Sequence, residues 1–128
     1  MFIFDYILVD YNRKQALSNI SAYSNRLTLS LDQSSNLNVF EKQYNPEIYY
    51  EVTLNNVPVG EKLSLKCNWI DPNGQIAHQN NYQTRKIDKQ VWPTHCRYSL
   101  NNGTVTGNWQ VEMLLGDRLL SSSNFTVK

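Results

Sequence analysis

Apolar and polar residues alternate along most of this chain with a period of two, and turn residues cut the runs into short segments. Arg26–Asp32 sets Leu27, Leu29 and Leu31 against polar neighbours. Glu47–Leu54 is rich in Tyr, Val and Ile, and Lys62–Ile70 is the cleanest alternation. Gln75–Gln79 reads as a short return strand and Ile87–Val91 as a weaker one. His95–Leu100, Asn108–Leu115 and Leu119–Val127 complete the set. Between them stand Val57-Pro58-Val59-Gly60, Asp71-Pro72-Asn73-Gly74, Asn101-Asn102-Gly103 and Gly116-Asp117. In these, Pro presets φ and Asn-Gly tolerates positive φ. Strands arriving every 8–12 residues or so predict an all-β sandwich or barrel.

The final hairpin allows a sharper inference. Trp109, Val111, Met113 and Leu115 share one face, and Leu119, Ser121, Ser123, Phe125 and Val127 share one face of the next strand. A plain two-residue Gly116-Asp117 turn would put these faces on opposite sides of the sheet. A loop of odd length, or a bulge, is therefore expected at this corner, with Trp109 opposite Phe125. Tyr49 and Tyr50 are adjacent on a strand, so one must point away from the core.

The first residues are less regular. Phe2–Val9 could add a strand, either to its own sheet or to another copy of the chain. Asn12–Tyr23 carries Ala16, Leu17 and Ile20 at near-helical spacing, which reads as a short helix or a loop. The chain divides into an N-terminal extension, 1–25, and a sandwich domain, 26–128.

At 128 residues the chain can bury a sizeable core without a metal or disulfide. Twelve basic residues against eleven acidic ones give a net charge of +1. That balance argues against a dedicated nucleic-acid binder, which must neutralise many phosphates. No apolar run is long enough for a membrane-spanning helix, so no membrane insertion is expected. Sixteen Asn residues favour turns and loops over helices. Asp5 and Asp10 interrupt the opening apolar stretch and the first basic residue is Arg13, so no export signal is read there. Location is left open, with an envelope or surface setting following if the chain is part of a longer protein.

Cys67 and Cys96 both fall on apolar strand faces. They would bond if their strands were neighbours. The reading favoured here is two buried thiols acting as small hydrophobes, because nothing in the sequence signals an oxidising compartment. His78, His95 and the cysteines lack zinc-ligand spacing. There is no nucleophile elbow, phosphate loop or dinucleotide fingerprint, so neither a catalytic residue, a metal nor a cofactor is expected. The eleven carboxylates are scattered, and a hydrolase would have to assemble a pair of them in space.

One segment carries a binding signal. Tyr82–Arg97 holds Arg85, Lys86, Lys89 and Arg97 against the single acid Asp88, interleaved with Tyr82, Trp92, His95 and Tyr98. Cations beside exposed aromatics can hold an anion or a glycan. The alternative is a solvated sheet face whose long stems cover apolar surface. Trp92, beside Pro93 at a turn, is less clearly core than Trp69 and Trp109, and glycan binding would require it to be solvent-accessible. Trp92, Tyr82, Arg85 and Arg97 are the candidate ligand contacts.

From Arg26 onward the order of features resembles a bacterial immunoglobulin-like β-sandwich domain of a kind with no assigned function. The pieces are RLTLSLD, Phe40, the Glu47–Leu54 strand, the Asn-Val-Pro-Val-Gly turn, LSLKCNWIDPNG, and the closing GNWQVEMLLGDRLLSSSNFTV. That close has the form G-x-W-x-V, then G, L and F-x-V. Trp69 stands two residues after Cys67, unlike the antibody arrangement, so the antibody disulfide is not transferred. The resemblance implies a sandwich of seven to nine antiparallel strands and a non-catalytic binding or accessory module, often of envelope or surface proteins. A protein partner or self-association is the first expectation. A carbohydrate-binding module using exposed aromatics is the alternative, and a hydrolase with spatially assembled carboxylates comes third.

Overall fold

The computed structural model describes residues 13–32 and 34–128. Two sheets face each other. One has the strand order β1-β3-β6 and the other β2-β8-β7-β4-β5. The strands are β1 Ser21–Thr28, β2 Val39–Phe40, β3 Glu47–Asn55, β4 Ser64–Ile70, β5 Ile76–Gln83, β6 Trp92–Ser99, β7 Gly107–Leu115 and β8 Arg118–Val127. All pairings are antiparallel except β2 on β8, a two-residue parallel contact that the expectation of antiparallel strands did not include. Residues 13–18 are helical, as the spacing of Ala16, Leu17 and Ile20 suggested. Phe2–Val9 lies outside the described residues.

The period-two pattern becomes the core. β3 buries Ile48, Tyr50, Val52 and Leu54 and turns Tyr49 outward. The opposing sheet supplies Leu65, Cys67 and Trp69 from β4, Trp109, Val111 and Met113 from β7, and Phe125 and Val127 from β8. The rings of Trp69, Tyr98, Trp109, Phe125 and Phe40 pack in an aromatic cluster with neighbouring centroids 5.4–6.1 Å apart.

The last hairpin solves its facing problem with a bulge. Gly116-Asp117 is a two-residue turn that pairs Leu115 with Arg118, and Leu120 is then left unpaired. The extra residue restores Trp109 opposite Phe125. It also exchanges the two leucines, so Leu120 packs against the core and Leu119 is exposed.

Three expectations need correction. β1 begins at Ser21 and stops at Thr28, because the Thr28 hydroxyl donates to Ser30 O and accepts from Ser30 N–H. That local turn competes with the sheet and leaves Leu29 exposed. Ile87–Val91 is not a strand. It docks instead on the 57–61 loop through Val57 N–H to Gln90 O, Gly60 N–H to Ile87 O and Ile87 N–H to Glu61 O. Finally, Cys67 and Cys96 are not free thiols. They form a disulfide across 29 positions of sequence, with Cα atoms 6.5 Å apart. β4 and β6 lie in different sheets, so their inward faces meet and the two sulfurs are brought together in the core.

Candidate functional site

β5 and β6 are edge strands of different sheets, and they lie along the same side of the sandwich. β5 is presented by the Asp71–Gln75 turn. There Asp71 Oδ1 accepts the N–H groups of Asn73 and Gln75, and Gly74 takes φ +81°. Side chains close the gap between the two edges. Asn80 donates from Nδ2 to Arg97 O at 3.1 Å and accepts the Trp69 indole N–H at 2.7 Å. The Tyr82 hydroxyl bonds the Thr94 hydroxyl at 2.6 Å, and His78 stacks on Tyr98 with ring centroids 5.0 Å apart.

An open groove of about 430 Å³ lies on this seam, lined by Glu47, His78, Asn80, Arg97, Tyr98 and Ser99. Glu47 is its electrostatic centre. It accepts from the Tyr49 hydroxyl at 2.6 Å and from Ser99 at 3.3 Å, and Arg97 Nη1 approaches it at 3.5 Å. The Tyr49 hydrogen bond is the main cause that holds its carboxyl below the usual carboxylate range; desolvation opposes it, and the Arg97 charge and Ser99 add smaller lowering effects. The same contact, read from the phenol, raises Tyr49. His95 meets Tyr49 edge-on at 5.9 Å. The result is a mixed-charge, aromatic surface with His78 in its lining and His95 beside Tyr49. It offers a carboxylate, a guanidinium and hydrogen-bonding rings side by side.

The four candidate contacts all lie along this seam, but not together. Arg97 belongs to the groove. Tyr82 lies further along, half-buried, its phenol raised by burial and partly offset by its bond to Thr94. Arg85 and Trp92 form a separate small hollow with Lys89 and Pro93. Trp92 is more exposed than Trp69 and Trp109 but only 7% exposed, so it lacks the accessible ring that glycan binding would require. The Arg85 guanidinium sits 4.6 Å above its centroid, so the cation occupies the face that a ligand would use. Tyr49 is the outward member of the adjacent Tyr49–Tyr50 pair, which the sequence offered as a second possible contact surface, whereas Glu47, His78 and Asn80 are not among the sequence's candidate contacts. They enter through the registers Glu47↔Ser99, Tyr49↔Arg97 and Cys67↔Asn80, and no local sequence signal marks them.

Among the described residues no three His, Cys, Asp or Glu side chains gather in a way that could hold a metal ion. Glu47, Glu51, Glu61 and Asp88 each pair with a different arginine. A second open groove, about 620 Å³, is lined by amides and turn residues that include Asn38, Asp71, Asn108 and Asn124. Among the described residues no helix is long and apolar enough to cross a membrane.

No family model and no curated protein matches this chain. Solved structures do. An immunoglobulin-like protein from Pseudomonas aeruginosa aligns with a TM-score of 0.61 at 16% identity, over 86% of this chain and 97% of that one. An alkylpurine DNA glycosylase from Pseudomonas fluorescens, solved bound to DNA containing an abasic-site analogue, aligns at 0.57 and 14% identity. That match takes in 85% of this chain but 30% of the glycosylase. At such identities the likeness is one of fold. The chain is an all-β, immunoglobulin-like sandwich.

Proposed function

We propose that this domain is a non-catalytic binding or accessory module that contacts a protein partner through the β5–β6 side. The observation that carries the reading is the Glu47–Tyr49–Arg97 cluster, a mixed-charge aromatic patch that β3 and β6 present on the outer face of their sheet beside the β5–β6 seam. Aromatic and Arg side chains are enriched where proteins meet proteins, and here they stand on a sheet scaffold. The inter-sheet disulfide fits maturation in an oxidising compartment such as a cell envelope. The glycan alternative loses its leading aromatic to burial, since Arg85 already covers Trp92. The DNA bound by the glycosylase has no counterpart in this chain's charge, which is +1 overall.

The test is site-specific photo-crosslinking in the producing cell. A photoreactive residue replacing Arg97 is expected to give a discrete protein adduct, and one replacing the exposed Ser122, on β8 three strands away from β5, is expected to give none. Equal labelling from both positions would sink the reading.

A further inference from the structure

Sheet edges invite added strands unless something guards them, and among the described residues three of the four sheet edges are guarded. β1 has a bulge between Ala22 and Ser24, and Leu27 spends its N–H on Asn36 Oδ1 and its carbonyl on Leu37 N–H. β2 is two residues long, and the part of β8 beyond it is interrupted at Leu120 and lies against β1. β6 carries Pro93, which has no N–H, and its Arg97 carbonyl is taken by Asn80.

β5 has none of these devices. Its eight residues, IAHQNNYQ, include no Lys, Arg, Asp, Glu or Pro, and its only irregularity lies at the turn end, opposite Trp69 and Ile70. Thr84 N–H bonds Leu63 O in line with the β4–β5 register. By alternation, the backbone groups of Gln79, Asn81 and Gln83 therefore face the open edge. Their side chains stand on the outer face, where Asn81 donates to Gln79, Gln79 to Asn68, and Asn68 to Glu112.

We propose that the β5 edge is a homotypic docking strand that pairs antiparallel with β5 of a second copy. The inference rests on the binding-module reading and names one partner for it. Two features select a second copy. The strand holds no Lys, Arg, Asp or Glu, so it sets no permanent like charges against itself. It is also self-complementary: a two-fold axis at Asn80 sets Gln79 opposite Asn81 of the second copy, and Asn81 opposite Gln79, while engaging the outward backbone groups of both strands. Amide then meets amide, and the Gln79–Asn68–Glu112 row continues into a ten-stranded sheet built from two five-stranded ones.

Sedimentation of the full chain from micromolar to millimolar concentration tests this, with Asn81→Pro, Gln79→Lys and Asn81→Lys beside the parent. A concentration-dependent dimer is expected for the parent. Asn81→Pro removes an N–H that the β4 ladder does not use, and either lysine brings two like charges, one from each copy, diagonally across the axis on the same face, so each should weaken the dimer by about tenfold or more. An unchanged melting temperature for Gln79→Lys separates loss of docking from loss of fold. An equimolar mixture of Gln79→Cys and Asn81→Cys chains should cross-link on mild oxidation, and neither chain should do so alone. A parent that stays monomeric throughout overturns the proposal. So does a dimer that survives all three substitutions, or a monomer whose 79, 81 and 83 amides resist hydrogen exchange because another segment occupies the edge. None of these outcomes touches the Arg97 photo-adduct, so the wider reading stands or falls separately.

Discussion

The two long sides of this sandwich are closed by different means. On the β1–β8 side the backbone itself does much of the closing. The chain leaves β1, wraps through residues 29–38 and joins the opposite sheet as β2, and Arg118 ties the Leu17 and Ile20 carbonyls to the start of β8. Asn25 and the buried Tyr50 hydroxyl both reach Ser121. On the β5–β6 side the sheets are held by side-chain staples: the disulfide, Asn80, the Tyr82–Thr94 bond and the His78–Tyr98 stack. A wrapped side distributes its stability over many backbone bonds. A stapled side concentrates it in a few groups and leaves edge backbone and charged side chains presented to solvent. The stapled side is therefore where a binding surface can exist without unpicking the fold.

The strongest challenge to this contrast is removal of the bridge. Cys67→Ala with Cys96→Ala opens a loop of 29 positions and should cost about 3–4 kcal/mol, read by urea unfolding with and without reductant. Trp92→Ala should cost a comparable ~3 kcal/mol, because the ring is buried at the start of β6. An unchanged stability would instead revive Trp92 as a ligand platform.

Asn80→Ala leaves the Trp69 indole N–H and the Arg97 carbonyl without their partner and should cost about 1–3 kcal/mol. Arg118→Ala, its counterpart on the wrapped side, should cost closer to ~1 kcal/mol, since the backbone ladder persists. Equal losses from the two would erase the distinction.

A weaker effect comes with alkali. Burial raises the Tyr50 and Tyr82 phenols above their ordinary 10.0, so both are held neutral in the fold. Their contribution is complete below that value and is lost as pH rises through the raised folded values. Tyr82→Phe should therefore flatten the alkaline decline in stability, measured by urea unfolding across that range. The smallest expected effect is at Glu47. Its depressed pKa contributes above the usual carboxylate range and is lost as pH falls through the folded value. Carboxyl-resolved NMR titration should find Glu47 low in the parent and nearer normal in Tyr49→Phe.

Much of the fold was legible because alternation is local. Glu47–Leu54 and Lys62–Ile70 declare their buried faces without reference to the rest of the chain, and the facing of Trp109 and Phe125 required a correction at the Gly116 corner that the bulge supplies. Ile87–Val91 misled because its one buried residue, Ile87, has the composition of a strand while its backbone bonds go to a loop. The candidate site was half visible. Arg97 and Tyr82 stood out by type, but Glu47 is an ordinary surface acid until β3 pairs with β6.

The sequence by itself determined the all-β class, the position of most strands, and which faces are buried, since a period of two and Pro, Asn and Gly turns act over a few residues. Tertiary structure decided what lies far apart in sequence. It joined Cys67 to Cys96 by placing β4 and β6 in facing sheets, it covered Trp92 with Arg85, and it left β5 as an uncharged edge. These depend on which strands become neighbours, and that is fixed only when two sheets pack and every buried polar group must find its partner.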